Sequence, residues 1–211
     1  MRLSTKVTIL SMLLFVAACH NPASDTSKAV TSEPARQASP QTAAGGQQYV
    51  ITPQNSKIEF IGSKVSGSHN GAFEKFNGEI HHVDNDPTKG HVSITIDMSS
   101  VKTDTPKLTE HLKTPDFFDV AKFPQAQFVS TEIKPGGEKG ASHTITGNLT
   151  LHGVTKAVSF PATIAVTPDT ATVDSNFAIN RKDFGVNFAG ATDDLIRDDV
   201  VLKFTIRATK G

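Results

Sequence analysis

Apolar residues recur at every second position through most of residues 49–211, and that period commits the chain to strands with one dry and one wet face. The clearest run sets Val92, Ile94, Ile96 and Met98 against Ser93, Thr95 and Asp97. Ile58, Phe60 and Gly62 begin the series; a Gly-rich turn at 66–71, a run from Phe76 to Ile80 and a turn at 84–90 follow. Residues 125–134 and 143–151 predict a hairpin across Pro135-Gly136-Gly137, with Ile145, Gly147, Leu149 and Leu151 on one face. Turns at 152–155 and Pro168-Asp169 lead into 157–167 and 171–180, and the last strand spans 200–208 with Leu202, Phe204 and Ile206 in phase. About eight antiparallel strands at meander spacing leave two open edges unless they close on themselves. The expected fold class is therefore all-β: a lipocalin-like antiparallel β-barrel with a short helical insertion.

The alternation breaks once, over residues 107–128 (KLTEHLKTPDFFDVAKFPQAQF), which hold four of the 13 Phe residues. Thr105-Pro106 and Thr114-Pro115 each put a hydroxyl before a proline, so two short helical segments are expected, ending at Phe123-Pro124. Leu108 and Leu112 stand one turn apart, and Phe117, Phe118, Val120 and Phe123 carry more apolar surface than a surface loop should. That surface either corks the open end of a barrel or also walls a lipid cavity. In the second case residues 105–123 are expected to act as a gate, with Leu112, Phe117 and Phe118 against the ligand and His111, Lys113 and Arg181 near its mouth.

Residues 1–18 read as a signal peptide: Arg2 and Lys6, an apolar run over 7–17, then Val16-Ala17-Ala18 before Cys19, the only cysteine of the chain. The run falls short of the roughly 20 apolar residues that span a bilayer, so cleavage and lipidation of Cys19 are expected. By resemblance to the lipoprotein sorting rules of enterobacteria, an Asp in second mature position would imply inner-membrane retention; His20 stands there instead, so the periplasmic side of a bacterial outer membrane is expected. Residues 19–48 are rich in Ala, Ser, Thr, Pro and Gln with Val30 as the one large aliphatic side chain, and are expected to be a disordered tether carrying the lipidated Cys19. The domain proper is 49–211. Removal of the signal leaves 19 basic against 21 acidic residues, and with no Trp and one Tyr nothing suits nucleic acid.

Four blocks carry a family resemblance. They are Gly71-Ala72-Phe73-Glu74-Lys75-Phe76-Asn77-Gly78, the run from His111-Leu112-Lys113 through Thr114-Pro115-Asp116-Phe117-Phe118-Asp119-Val120, Gly147-Asn148-Leu149-Thr150-Leu151-His152-Gly153-Val154-Thr155-Lys156, and Ile179-Asn180-Arg181-Lys182-Asp183-Phe184-Gly185. In order and spacing they resemble the YceI-like family of bacterial periplasmic proteins, over residues 49–208. The resemblance implies a lipocalin-like barrel enclosing a long polyisoprenoid chain, without catalytic centre or metal. Two positions depart from the family pattern. Leu108 and Thr109 replace a usual Arg-Asp, and a frequent Val-X-His has become Val65-Ser66-Gly67-Ser68-His69.

Inward-facing candidates, each in the apolar phase of its own strand, are Phe60, Ile80, Ile94, Ile96, Phe128, Leu149, Phe177 and Phe204. With Phe73, His111, Leu112, Phe117, Phe118 and Arg181 they make up the expected ligand-binding set. Arg181 reads either as a brace for its own turn or as a clamp for a phosphate or quinone head group. A catalytic reading can pair His111 or His152 with Asp116, Asp119 or Asp183, but no G-x-S-x-G or other nucleophile motif accompanies them. No metal site is expected from His81, His82 and His91, because His81 and His82 point to opposite faces and at most two of the three converge. The reading is a membrane-tethered protein that sequesters or carries a long apolar lipid, a polyisoprenoid or isoprenoid quinone, in its barrel. The competing reading is a non-catalytic interaction or scaffold module whose barrel is filled by side chains. No cofactor is called for other than such a bound lipid. The partners are that lipid and the membrane, and a homodimer is compatible with both readings.

Overall fold

Across the residues described by the computed structural model, 21–35 and 46–211, the chain forms β1 (Ser27–Lys28), β2 (Val30–Ser32), β3 (Gln47–Ile51), β4 (Lys57–Lys64), β5 (Gly67–Phe73), β6 (Phe76–Val83), β7 (Asp86–Asp97) and β8 (Val101–Thr103). After these come α1 (Pro106–Leu112), β9 (Gln125–Pro135), β10 (His143–Leu151), β11 (Val154–Val166), β12 (Thr170–Asn180), the two-residue β13 (Gly190–Ala191) and β14 (Asp194–Leu195), and β15 (Asp199–Lys210). Hydrogen bonding runs β12-β11-β10-β9-β7-β6-β3-β15, and β15 pairs back onto β12. An eight-stranded antiparallel barrel is thereby closed. β15 bonds β3 only near its end and β4 over residues 201–205, so β4, β5 and β8 extend the wall at one rim. Cys19 and the signal peptide lie outside the described residues.

Local chemistry sets the hairpins. Asp84-Asn85 and His152-Gly153 take positive φ at both central positions (57° and 55°, 51° and 76°), the twist that a two-residue turn between right-twisted strands requires. The 84–90 stretch is thus a two-residue turn followed by strand, because Asp84-Asn85 alone supply the reversal. Similarly, the Gly-rich stretch 66–71 is mostly β5. Its turn is Val65-Ser66, held by the Asp194 carboxylate, which accepts from the Ser66 amide (3.0 Å) and hydroxyl (2.8 Å).

Of the two expected helical segments one forms. Pro106 opens α1, where its missing N–H costs nothing, although the Thr105 side chain makes no capping bond. Residues 113–123 are instead a series of turns, including Phe118 N to Leu112 O (3.0 Å) and Val120 N to Lys113 O (3.1 Å). Asp119 at φ 43° ends any helical continuation there.

The tether expected over 19–48 is not free where it is described. β11 and β12 pair only at Thr163–Val166 with Ala171–Asp174. Beyond that, Pro161 has no N–H to offer, its carbonyl accepts from the Ser175 hydroxyl (2.6 Å), and the two strands part. Into the seam comes the N-terminal segment, β1 parallel to β12 at Phe177 and Ala178, β2 antiparallel to β11 at 157–159. Composition underestimated this segment because its stabilisation comes from the unpaired backbone groups of its neighbours. Its one large aliphatic residue, Val30, points outward at 70% exposure, whereas Ala23 and Ser27 are buried.

Candidate functional site

The barrel interior has two unlike halves. In one, Phe160 stacks on Phe177 (4.1 Å, 6°), Phe128 lies 5.6 Å from Phe160, and Ile80, Ile94, Ile145 and Val173 close the remaining space. That half is an ordinary side-chain core. The other half, toward α1, holds a cavity of about 150 Å³. Phe204 stands between them, packed edge-on to Phe177 (5.5 Å) and facing the cavity.

Nine of the 14 expected ligand-binding residues line this cavity: Phe60, Phe73, Ile96, Leu112, Phe117, Phe118, Leu149, Arg181 and Phe204. Ile80, Ile94, Phe128 and Phe177 belong to the filled half. They face inward as alternation predicts, but alternation cannot say at which height a barrel is filled. Residues that the sequence reading left out complete the wall, among them Ile58, Met98, Ile179, Val186, Ile196 and Leu202. Most were legible as alternation partners. Val186 and Ile196 were not, because they sit in the irregular connection that folds back over the mouth. Apart from the Arg181 stem, every lining side chain is apolar. At Gly62 the wall lacks a side chain altogether, and a β-carbon there would meet nothing within 4 Å.

The cap is fastened by the two positions that depart from the family pattern. Thr109 Oγ1 accepts from the Thr103 amide (2.9 Å), tying α1 to β8. His69 Nδ1 lies 2.8 Å from Asp104 Oδ1, while Asp104 Oδ2 accepts from the Asn70 amide (2.9 Å). The Asn70 amide and His69 hold the Asp104 carboxyl below the usual carboxylate range. Leu108, in place of a charged residue, joins the apolar cluster under the cap, where Leu112 and Phe117 are buried against Phe60, Val101 and Val186. Phe188 extends this cluster, 5.2 Å from both Phe117 and His111.

Arg181 is not a free clamp. It is 5% exposed, and its guanidinium donates to the carbonyls of Val186 (2.6 Å), Arg197 (3.1 Å) and Ile196 (3.4 Å), with Asp198 Oδ1 at 3.4 Å. Those bonds pin the 186–198 connection over the cavity, so the guanidinium braces that connection and not merely its own turn. His111 and Lys113 lie on the outer side of the cap, bonded to Asp116 (2.8 Å) and Glu110 (2.9 Å). Neither lines the cavity, although the His111 ring packs edge-on against the cavity-lining Phe117 at 5.0 Å.

A closed antiparallel barrel with an apolar cavity under a helical cap defines the class: a lipocalin-like barrel suited to binding lipid. The chain belongs to the YceI-like family, whose domain pattern matches residues 49–208. A UPF0312 protein of Pseudomonas putida strain W619 is 35% identical over 136 residues, 62% of this chain and 70% of that protein. The crystal structure of Burkholderia cenocepacia BcnA is similar with a TM-score of 0.67 and 28% identity, covering 75% of this chain and 99% of that one. A polyisoprenoid binding domain from Saccharophagus degradans, implicated in plant cell wall breakdown, shares the fold with a TM-score of 0.60 and 15% identity, covering 78% and 99%.

Proposed function

We propose that this protein is a non-catalytic, membrane-tethered binder of a long apolar lipid, a polyisoprenoid or isoprenoid quinone, whose end enters the cavity beneath α1. The observation that carries the reading is the cavity's apolar lining beside a half-barrel whose own side chains leave only about 20 Å³. A void of about 150 Å³ matches one benzene-sized group, so a terminal isoprene unit fits as the barrel stands. A longer stretch enters only if the cap lifts. A neighbour of the same fold binds polyisoprenoid, which agrees with this chemistry.

The anchor expected at Cys19 would suit the reading as well. Ala23 packs on Ala178 and Val201, whose chain neighbours Ile179 and Val200 line the cavity. Cys19 precedes Ala23 by four residues in the sequence. A lipidated Cys19 would hold the cavity end against the outer membrane, and the exposed Val65 and Leu195 lie on the rim there. Because the competing solvent is a bilayer as apolar as the cavity, net affinity stays small and exchange reversible.

Native mass spectrometry of the mature protein taken from membranes, followed by organic extraction, tests this. A prenyl lipid or quinone is the expected cargo. Phospholipid alone would change the lipid class, and an empty barrel would return the protein to the scaffold reading.

A further inference from the structure

On the outer face of the barrel, away from the cavity, one strand pair brings together three donors that no role above uses. Glu79 and His81 are two residues apart on β6 and so project from the same face, and His91 of β7 is the residue directly opposite His81. The ligating atoms of all three lie within 4.8 Å of one another, and His81 Nε2 is 3.2 Å from Glu79 Oε2. The imidazoles of His81 and His91 stack with centroids 4.8 Å apart and planes 7° from parallel, which holds the two rings side by side on one face. His82 points inward, as the strand period requires, and Glu79 supplies the third donor that a count of histidines misses.

We propose that Glu79, His81 and His91 form a binding site for a divalent transition ion of the zinc, nickel or copper type. Two imidazoles and one carboxylate suit these borderline ions, whereas magnesium and calcium prefer oxygen alone. The three donors occupy one side of the ion and leave its outer position open to water or an external ligand. In a tetrahedral zinc site neighbouring donors stand about 3.4 Å apart. The Glu79–His81 pair already has that spacing at 3.2 Å, and the His91 donor lies within 4.8 Å of both, so the ion would have to draw it closer. Rigidity comes from the ladder, because β6 is bonded on both sides, to β3 and β7. An outer partner is in place too: the Gln48 amide donates to Glu79 Oε2 at 2.8 Å and orients the carboxylate. With 23% of the His81 side chain and 41% of Glu79 exposed, an ion enters from solvent without opening the barrel. From His91 to the cavity-lining Ile96 is five residues, about 17 Å along the strand and on the other face.

The test is a titration of the tag-free mature protein with ZnCl₂ by calorimetry, repeated with CoCl₂ so that the visible bands report coordination. One ion per chain is expected, with cobalt bands of a four-coordinate site. His81→Ala and His91→Ala should each weaken binding by more than the roughly 10–100-fold that loss of an outer partner costs, and Gln48→Ala by about that amount. His143→Ala, elsewhere on the surface, should bind as the parent does. Should a β6 or β7 variant misfold, imidazole ¹⁵N resonances of the unaltered protein decide, since zinc must shift those of His81 and His91 selectively. Uniform shifts across the histidines, or parental affinity in the His81 and His91 variants, overturn the proposal.

Discussion

The ring of Phe60 occupies the space that a side chain at residue 71 would need: a β-carbon on Gly71 would stand 2.1 Å from Phe60 Cζ and within 2.7 Å of two other ring atoms. β4 and β5 pair these two residues directly, and the glycine lets the ring lie flat along the cavity wall. Gly71→Ala should drive the ring inward into the cavity. The expected cost is about 1–3 kcal/mol in urea denaturation, the usual penalty of overpacking, together with a loss of bound lipid by native mass spectrometry. Parental lipid occupancy would show that the ring escapes elsewhere.

Gly62 offers the opposite case. Its β-carbon would project into open space, and its φ is one that any residue adopts. Gly62→Val should leave the melting temperature unchanged or raise it, since valine favours strands and glycine carries an entropic cost of roughly 0.5–1 kcal/mol. Bound lipid should nevertheless fall. A variant that is stable and still fully loaded would place the ligand outside this cavity.

Thr109→Val removes the acceptor of the Thr103 amide and should loosen α1 from β8 at a cost of about 1–3 kcal/mol, the price of an unpaired donor. Residues 105–123 should then exchange amide hydrogens faster, and lipid should transfer to and from vesicles faster, while residues 92–98 stay as protected as before. In the parent, lipid should protect 105–123 more than 92–98. Equal protection with and without lipid would mean that entry lies elsewhere.

Deleting residues 21–35 while keeping the barrel should bare the seam between β11 and β12. Amides at 157–159 and 177–178 should lose protection, stability should drop by a few kcal/mol at about 0.5–1.5 per lost hydrogen bond, and the opened edges should promote self-association. Unchanged exchange at those amides would reduce the strap to a surface decoration.

His82 sets a pH window. It is 2% exposed, stacks on Tyr49 at 5.0 Å, and neither ring nitrogen has a hydrogen-bond partner among the described residues. Burial holds its pKa below the ordinary value. The unfolded chain, with a histidine pKa near 6.5, takes up the proton that the folded state refuses. Stability is therefore full above about pH 6.5 and declines as the pH falls toward the depressed folded value. His82→Phe should keep the packing, equal or exceed the parent in stability, and flatten this slope in part, since His91 is depressed as well. The carboxylates of Asp97, Asp104 and Asp194 are held low, so their contributions are present above about pH 4 and vanish only below it. Denaturation curves across pH 5–8 check the point, and an undiminished slope in the variant would assign it to another group.

Features that depend on near neighbours can be read along the chain. A period of two residues is a local property, so most of the strands, their inward faces, the turns expected at 152–155 and 168–169 and the apolar character of 107–128 were legible before any contact was known, whereas β5 and β8 were not. The glycines of 66–71 misled because a glycine required by Phe60 across a strand pair looks, along the chain, like a glycine required by a turn. The tertiary structure alone decided how high the barrel is filled, for alternation places Phe177 and Phe204 on the same face without saying that one is core and the other cavity wall. It also decided that Arg181 spends its donors on carbonyls 5–16 residues away, that a polar N-terminal segment completes a seam opened by Pro161, and that Glu79 joins His81 and His91. Each of these depends on register between separate strands or on backbone groups left unpaired by a distant residue. Such energies arise only when the chain has closed on itself, and no window along the sequence contains them.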